Sequence, residues 1–168
     1  MTALRGNAWK FGDGVSTDQI APGRYFHLRS NLPELAKHVL EDARVDFAQN
    51  VRPGDFVVAG RNFGLGSSRE HAPVIIKMVG VSAVIAQSFA RIFYRNAINI
   101  GLPAIICDTP KIYEGDVIEV DMAIGTILNV TRGVRMSFHP LPDIMRRILE
   151  EGGLIKYVQK HGDLELVK

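Results

Sequence analysis

The spacing of apolar residues divides the chain into short alternating runs. Residues 4–11 read as a strand, broken by Gly12, Asp13 and Gly14. Residues 15–30 show no period and hold Pro22 and Gly23, which predicts a functional or connecting loop. Leu32-Pro33-Glu34-Leu35 opens a helix with Leu35, Val39 and Leu40 on one face and Asn31 as candidate cap. Arg52-Pro53-Gly54-Asp55 spells a turn. Residues 56–59 are continuously apolar and of strand length, the pattern of a strand buried on both faces. A glycine-rich loop over 62–66 leads into a helical pattern from Ser67 to about Val79, in which Pro73 is tolerated only in the first turns. Residues 81–86 form a second buried strand, 88–97 a second helix with Ser88 as candidate cap, and 103–107 a third strand.

Strands and helices alternating at this pace imply a parallel sheet with crossover helices. The pattern then changes. Residues 117–120 and 126–130, with Gly125 between them, suit an antiparallel pair. A helix over about 141–150 is stopped by Gly152-Gly153, and a shorter one follows over 154–160. The expectation is one α/β domain over residues 1–168: a mixed sheet, mainly parallel in the first two-thirds, with flanking helices. No repeat, low-complexity tract or linker divides it.

Composition narrows the function classes. With 46% hydrophobic and 23% charged residues, the chain can bury a core and falls outside the disordered class. The formal charge is only +2, and its 20 basic residues are scattered, which argues against a nucleic-acid partner. Of two small basic clusters in helical patterns, Arg146 with Arg147 suits a solvated face, while Arg91 with Arg95 is open between a surface salt bridge and holding a partner or the active-site loop. The single cysteine, Cys107, makes no intrachain disulfide and cannot by itself hold an iron–sulfur cluster. It follows the apolar run 102–106 and reads as a buried, inert strand residue. No long apolar segment marks a signal peptide or a membrane span, so a cytoplasmic location away from membranes is expected.

The sharpest feature is Asn62-Phe63-Gly64-Leu65-Gly66-Ser67-Ser68-Arg69-Glu70-His71, set between a buried strand and a helix. Ligands of open α/β sheets bind outside the carboxyl ends of the strands. Gly64 and Gly66 let a ligand approach the backbone, Ser67 and Ser68 add hydroxyls, and Arg69 adds a planar fork that matches a carboxylate. A helix start would add its positive dipole end. Ser67 with Glu70 also fits a plain capping box, and His71 reads as a packed or capping histidine. No lysine completes a Walker loop, and Glu70 occupies the third-glycine position of a dinucleotide loop, where an acid repels pyrophosphate. The loop therefore favours a carboxylate over a nucleotide.

This loop resembles the signature of the small, swivelling subunit of aconitase-family hydro-lyases. Ser16-Thr17-Asp18-Gln19-Ile20 is similar to the family's Thr-Asp loop, Ser88-Phe89-Ala90-Arg91-Ile92-Phe93-Tyr94-Arg95-Asn96 to its next block, and Asn99-Ile100-Gly101-Leu102-Pro103 follows where expected. The resemblance runs from about Gly6 through the final helix, and the length is that of the family's isopropylmalate-isomerising branch. It implies a swivelling β/β/α domain and a reaction in which a 2-hydroxy dicarboxylate loses water and regains it with the hydroxyl on the neighbouring carbon. It implies Ser67 as the base, acting as an alkoxide, Asp18 as a catalytic-site acid that orients or relays a proton, and Ser68 and Arg69 as holders of a substrate carboxylate. It implies no metal or cofactor on this chain and a 4Fe-4S cluster on a large partner subunit, in a heterodimer or heterotetramer. The lack of a cysteine set, a His-x-x-x-His helix or carboxylates at ligand spacing agrees with that division of labour.

Two departures stand out. Leu65 replaces the cysteine that many relatives carry between the glycines, a packing change. Tyr25-Phe26-His27-Leu28 lies where relatives vary with substrate: Tyr-Leu-Val-Tyr for isopropylmalate, Tyr-Leu-Arg-Thr for homoaconitase types. His27 carries no fixed charge, which favours a branched alkylmalate. Homoaconitate hydration, dimethylmalate dehydration and a non-catalytic, carboxylate-binding regulatory module are the alternatives.

Overall fold

The computed structural model describes residues 3–162. In chain order the elements are β1 (Leu4–Lys10), α1 (Thr17–Ile20), a 3-10 stretch (Gly23–Leu28), α2 (Leu32–Ala36), α3 (Phe47–Asn50), β2 (Phe56–Ala59), α4 (His71–Met78) and β3 (Ala83–Ala86). They continue with α5 (Arg91–Asn99), β4 (Ala104–Ile106), β5 (Val117–Asp121), β6 (Thr126–Asn129), β7 (Val134–Ser137), α6 (Asp143–Glu150) and α7 (Leu154–His161). The strands form a seven-stranded sheet in the order β4-β3-β2-β1-β5-β6-β7.

β1 joins two halves of opposite character. Its residues Ala8, Trp9 and Lys10 pair parallel with β2, and Leu4 to Asn7 pair antiparallel with β5. β2, β3 and β4 continue in parallel, as the alternation of strands and helices predicts. β5, β6 and β7 continue antiparallel. Burial follows the pairing type. Every residue of β2 and β3 is buried, because helices cover both faces of a parallel sheet. β5 and β6 alternate buried and part-exposed positions, so one of their faces meets the core.

Several boundaries differ from the sequence reading. The unpatterned segment 15–30 carries α1 and the 3-10 stretch, and β7 was not anticipated at all. Asn31 precedes α2 without a side-chain capping bond. α4 starts at His71, not at Ser67, and Ser67 makes no capping box with Glu70. α5 starts at Arg91 behind Ala90. Ser88 does not cap it, because its hydroxyl accepts the Asn62 N–H at 2.8 Å. Cys107 is buried just past β4, and burial pushes its thiol pKa up. Among the described residues, no helix is long and apolar enough to cross a membrane.

Candidate functional site

Three loops leave the carboxyl ends of β1, β2 and β3 and meet on one side of the sheet. The loop after β2 is stitched to the loop after β1: the Gly64 N–H donates to Val15 O at 2.7 Å and the Thr17 N–H to Leu65 O at 2.9 Å. The buried Thr17 hydroxyl donates to Ser67 O at 2.7 Å. On its other side the same loop pairs with the loop after β3, the Phe63 N–H donating to Ser88 O at 3.0 Å and the Ala90 N–H to Phe63 O at 2.9 Å. Phe63 packs edge-on against Phe93, with ring centres 5.2 Å apart. Gly64 lies over that ring, where a Cβ would fall 2.2 Å from Phe93 Cγ, and its φ of 83° is a conformation glycine adopts freely.

α1 is a single turn, held by a capping box that the sequence spells as Ser16-x-x-Gln19. The Gln19 N–H donates to Ser16 Oγ at 3.1 Å, and the Ser16 N–H donates to Gln19 Oε1 at 3.0 Å. This turn sets Asp18 beside Arg69. The Arg69 guanidinium then joins the site: Nη2 lies 2.9 Å from Asp18 Oδ1, Nη1 donates to Ala21 O at 2.9 Å, and Nε donates to Ser67 Oγ at 3.1 Å. Of the five guanidinium N–H donors, these bonds leave two for a ligand. A cation donating to a hydroxyl oxygen favours the alkoxide over the alcohol.

Beside this hub is a cleft of about 210 Å³. Thr17, Gly64, Gly66, Ser67, Ser68 and Arg69 form one wall; Ala90, Arg91, Ile92, Phe93 and Asn96 form the other. Ser67, Ser68 and Asp18 are exposed. The structure therefore brings together Asp18, Gly64, Gly66, Ser67, Ser68 and Arg69. It does not bring His27 to them: His27 is exposed on the 3-10 stretch and does not line the cleft. Arg24, on the same stretch, pairs with Asp42 and Glu41. His71 is half-buried at the start of α4, and burial, followed by the charges of Arg69 and Arg29, pushes its pKa down. The α4 dipole begins four residues past Ser67, so the anion-favouring helix end in this cleft is that of α5. The sequence marks Thr17 and the Ser88–Asn96 block as motif stretches but assigns neither Thr17 nor Asn96 to the site.

An iron–sulfur cluster does not fit this chain's donor set. Its one cysteine is buried behind the sheet end with a raised pKa, and cluster ligation needs several thiolates. Among the described residues, no group of three or more His, Cys, Asp or Glu side chains stands close enough to hold a metal ion.

The fold is an α/β domain with a mixed sheet and a serine–arginine hub at the carboxyl ends of its parallel strands. The chain belongs to the family of aconitase C-terminal domains, whose pattern matches residues 11–109. It is 63% identical to the 3-isopropylmalate dehydratase small subunit 2 of Archaeoglobus fulgidus, over 96% of this chain and 98% of that one. It is 58% identical to the 3-isopropylmalate dehydratase small subunit 1 of Thermotoga maritima, over 98% of this chain and 99% of that one. The crystal structure of the 3-isopropylmalate dehydratase of Methanocaldococcus jannaschii superposes with a TM-score of 0.92 at 44% identity, covering 96% of each chain.

Proposed function

We propose that the chain is the small subunit of an aconitase-family hydro-lyase that interconverts 2- and 3-isopropylmalate by dehydration and rehydration, in leucine biosynthesis, and that it works only with a large subunit. The observation that carries the site assignment is the Arg69 guanidinium, which donates to Ser67 Oγ and pairs with Asp18 at the open cleft. Curated relatives at 58–63% identity carry the matching name.

Ser67 takes the proton from the carbon next to a substrate carboxylate. The electron pair of that C–H bond forms the alkene, and the hydroxyl leaves the neighbouring carbon. Rehydration reverses these steps with the hydroxyl on the other carbon, and Ser67 returns the proton. A 4Fe-4S cluster, if bound by the large subunit, would supply Lewis acidity toward the leaving hydroxyl. Within this chain, Arg69 stabilises the Ser67 alkoxide through Nε and, with its two spare donors and the Ser68 hydroxyl, grips the carboxylate. Asp18, on Nη2, orients that fork and has no direct bond to Ser67. The backbones of Gly64 and Gly66 allow the close approach, and His27 faces the substrate's variable group once the large subunit closes the site.

The test mixes this chain with a cluster-loaded large subunit under anaerobic conditions and follows alkene formation from isopropylmalate and from homoisocitrate. Turnover of isopropylmalate in the mixture, with neither chain active alone, is the expected result. Turnover by the large subunit alone, or a preference for homoisocitrate, overturns the reading. Ser67→Ala should lower kcat by at least about 10²-fold without weakening assembly; near-normal turnover would remove Ser67 as the base.

A further inference from the structure

The Arg69 fork is sized for one carboxylate, yet an isopropylmalate has two. Three of its five donors are spent on Asp18, Ala21 and Ser67. The two that remain fit a single bidentate grip. The second carboxylate sits on a neighbouring carbon and needs a partner other than this fork, on this chain or on the large subunit.

The opposite wall supplies one. Arg91 lines the cleft from the first position of α5. Its side chain is exposed and takes part in no ion pair, hydrogen bond or ring contact among the described residues. Arg24, Arg44, Arg69, Arg132 and Arg146, by contrast, are each paired with a carboxylate. No side chain caps α5, so its first-turn N–H groups are left free at the end of the helix that Arg91 begins, and the helix dipole adds positive potential there. Asn96, one turn further along α5, lines the same cleft.

Resting on the isopropylmalate reading, we propose that Arg91 is a substrate-binding residue that holds the second carboxylate, so that the two cleft walls clamp one dicarboxylate between Arg69 and Arg91. The clamp fixes both ends of the carbon pair across which water is lost and regained, which positions the reacting C–H against Ser67.

The experiment uses the reconstituted two-subunit enzyme with Arg91→Gln, Arg91→Lys and, as a control on the same helix outside the cleft, Arg95→Gln. Turnover of isopropylmalate is measured, together with calorimetric binding of 2-isopropylmalate and of its two monoamides. Arg91→Gln should raise KM and the dissociation constant of the dicarboxylate about 10- to 100-fold, the range of a charge-assisted pair. One monoamide, lacking the carboxylate that faces Arg91, should bind wild type and variant alike. Arg91→Lys should recover part of the loss, and Arg95→Gln should behave as wild type. Unchanged KM and binding in Arg91→Gln overturn the proposal. So does equal weakening of the dicarboxylate and both monoamides, or a loss that follows weaker subunit association in sedimentation, which would make Arg91 an interface residue. If the wild-type enzyme fails to turn over isopropylmalate, the functional reading has failed instead, and the binding arms still decide whether Arg91 grips a carboxylate.

Discussion

Replacing Gly64 with alanine should separate two costs that usually arrive together. The first is conformational: at φ 83° an L side chain is strained by about 1 kcal/mol. The second is steric. The new Cβ would stand 2.2 Å from Phe93 Cγ, 2.4 Å from its Cβ and 2.7 Å from its Cδ2. Phe93 cannot swing away, because it is 2% exposed and its ring is pinned between Phe63 at 5.2 Å and Phe89 at 6.2 Å. Overpacking of this kind costs about 1–3 kcal/mol, for a total of about 2–4 kcal/mol. Gly66→Ala is the control. Gly66 has a φ of 102°, but its Cβ would meet only Thr17 Oγ1 at 3.4 Å and Ser16 Cβ at 3.9 Å, so it carries the conformational cost alone. Urea unfolding should therefore place Gly64→Ala below Gly66→Ala by about 1–3 kcal/mol. Truncating Phe93 to glycine removes all three contacting atoms, so the Gly64→Ala, Phe93→Gly double variant should be more stable than the sum of the single losses. An additive double variant, or equal losses at positions 64 and 66, would refute the clash. In the reconstituted enzyme, Gly64→Ala should also lower turnover, because relief of the clash pulls on the Gly64–Val15 and Thr17–Leu65 bonds that place Ser67.

Arg69→Lys should lower stability by about 1–4 kcal/mol and remove most activity. Its pair with Asp18, whose side chain is 63% exposed, is worth at most about 1 kcal/mol, and the abandoned Ala21 carbonyl costs about 1–3 kcal/mol. A lysine cannot serve Ser67, Ala21, Asp18 and a carboxylate together, so kcat/KM should fall at least about 10²-fold; a loss under 10-fold contradicts the hub. The pH dependence of stability should carry a His71 signature. The pKa of His71 is depressed in the folded chain, so the unfolded chain binds more protons as pH falls below about 6.5, and stability drops from there through the folded pKa. His71→Gln should flatten that stretch of the curve in urea titrations between pH 7.5 and 5, and a parallel curve would clear His71.

The parallel half of the fold was legible because its signals are local. The all-apolar runs of β2 and β3 sit between turn residues, and no tertiary contact competes with them. The misses share a cause. Ser88 has the chemistry of a helix cap, but the Asn62 N–H, 26 residues away, takes its hydroxyl. Ser67 looks like a cap for the same reason, yet its hydroxyl meets Arg69 Nε and its carbonyl holds Thr17. Segment 15–30 has no period because Val15 and Thr17 are held by backbone bonds to the glycine loop and the rest folds into a single α-turn and a 3-10 stretch, each too short to show one. The one local signal left unread there was the Ser16–Gln19 capping box. The motif residues at 18 and 64–69 were recovered together. The α5 wall was not placed with them, because Arg91 and Asn96 reach the cleft through the pairing of Phe63 with Phe89 across the sheet.

The same geometry explains how one scaffold can keep its chemistry while changing substrate. Ser67 and the Arg69 guanidinium are fixed by bonds to backbone, Thr17 to Ser67 O, Arg69 to Ala21 O and Thr17 to the Leu65 carbonyl, and Asp18 is held by its pair with Arg69. The segment that bears His27 leaves this hub at Gly23, where a Cβ would fall 2.9 Å from Asp18 Oδ1 and 3.6 Å from Arg69 Nη2. Glycine at 23 thus lets the 3-10 stretch begin against the Asp18–Arg69 pair without displacing it. Beyond that point the side chains of Phe26 and His27 are exposed and bear on no catalytic group. Substitutions at 26 and 27 should therefore leave the bonds around Ser67 as they are.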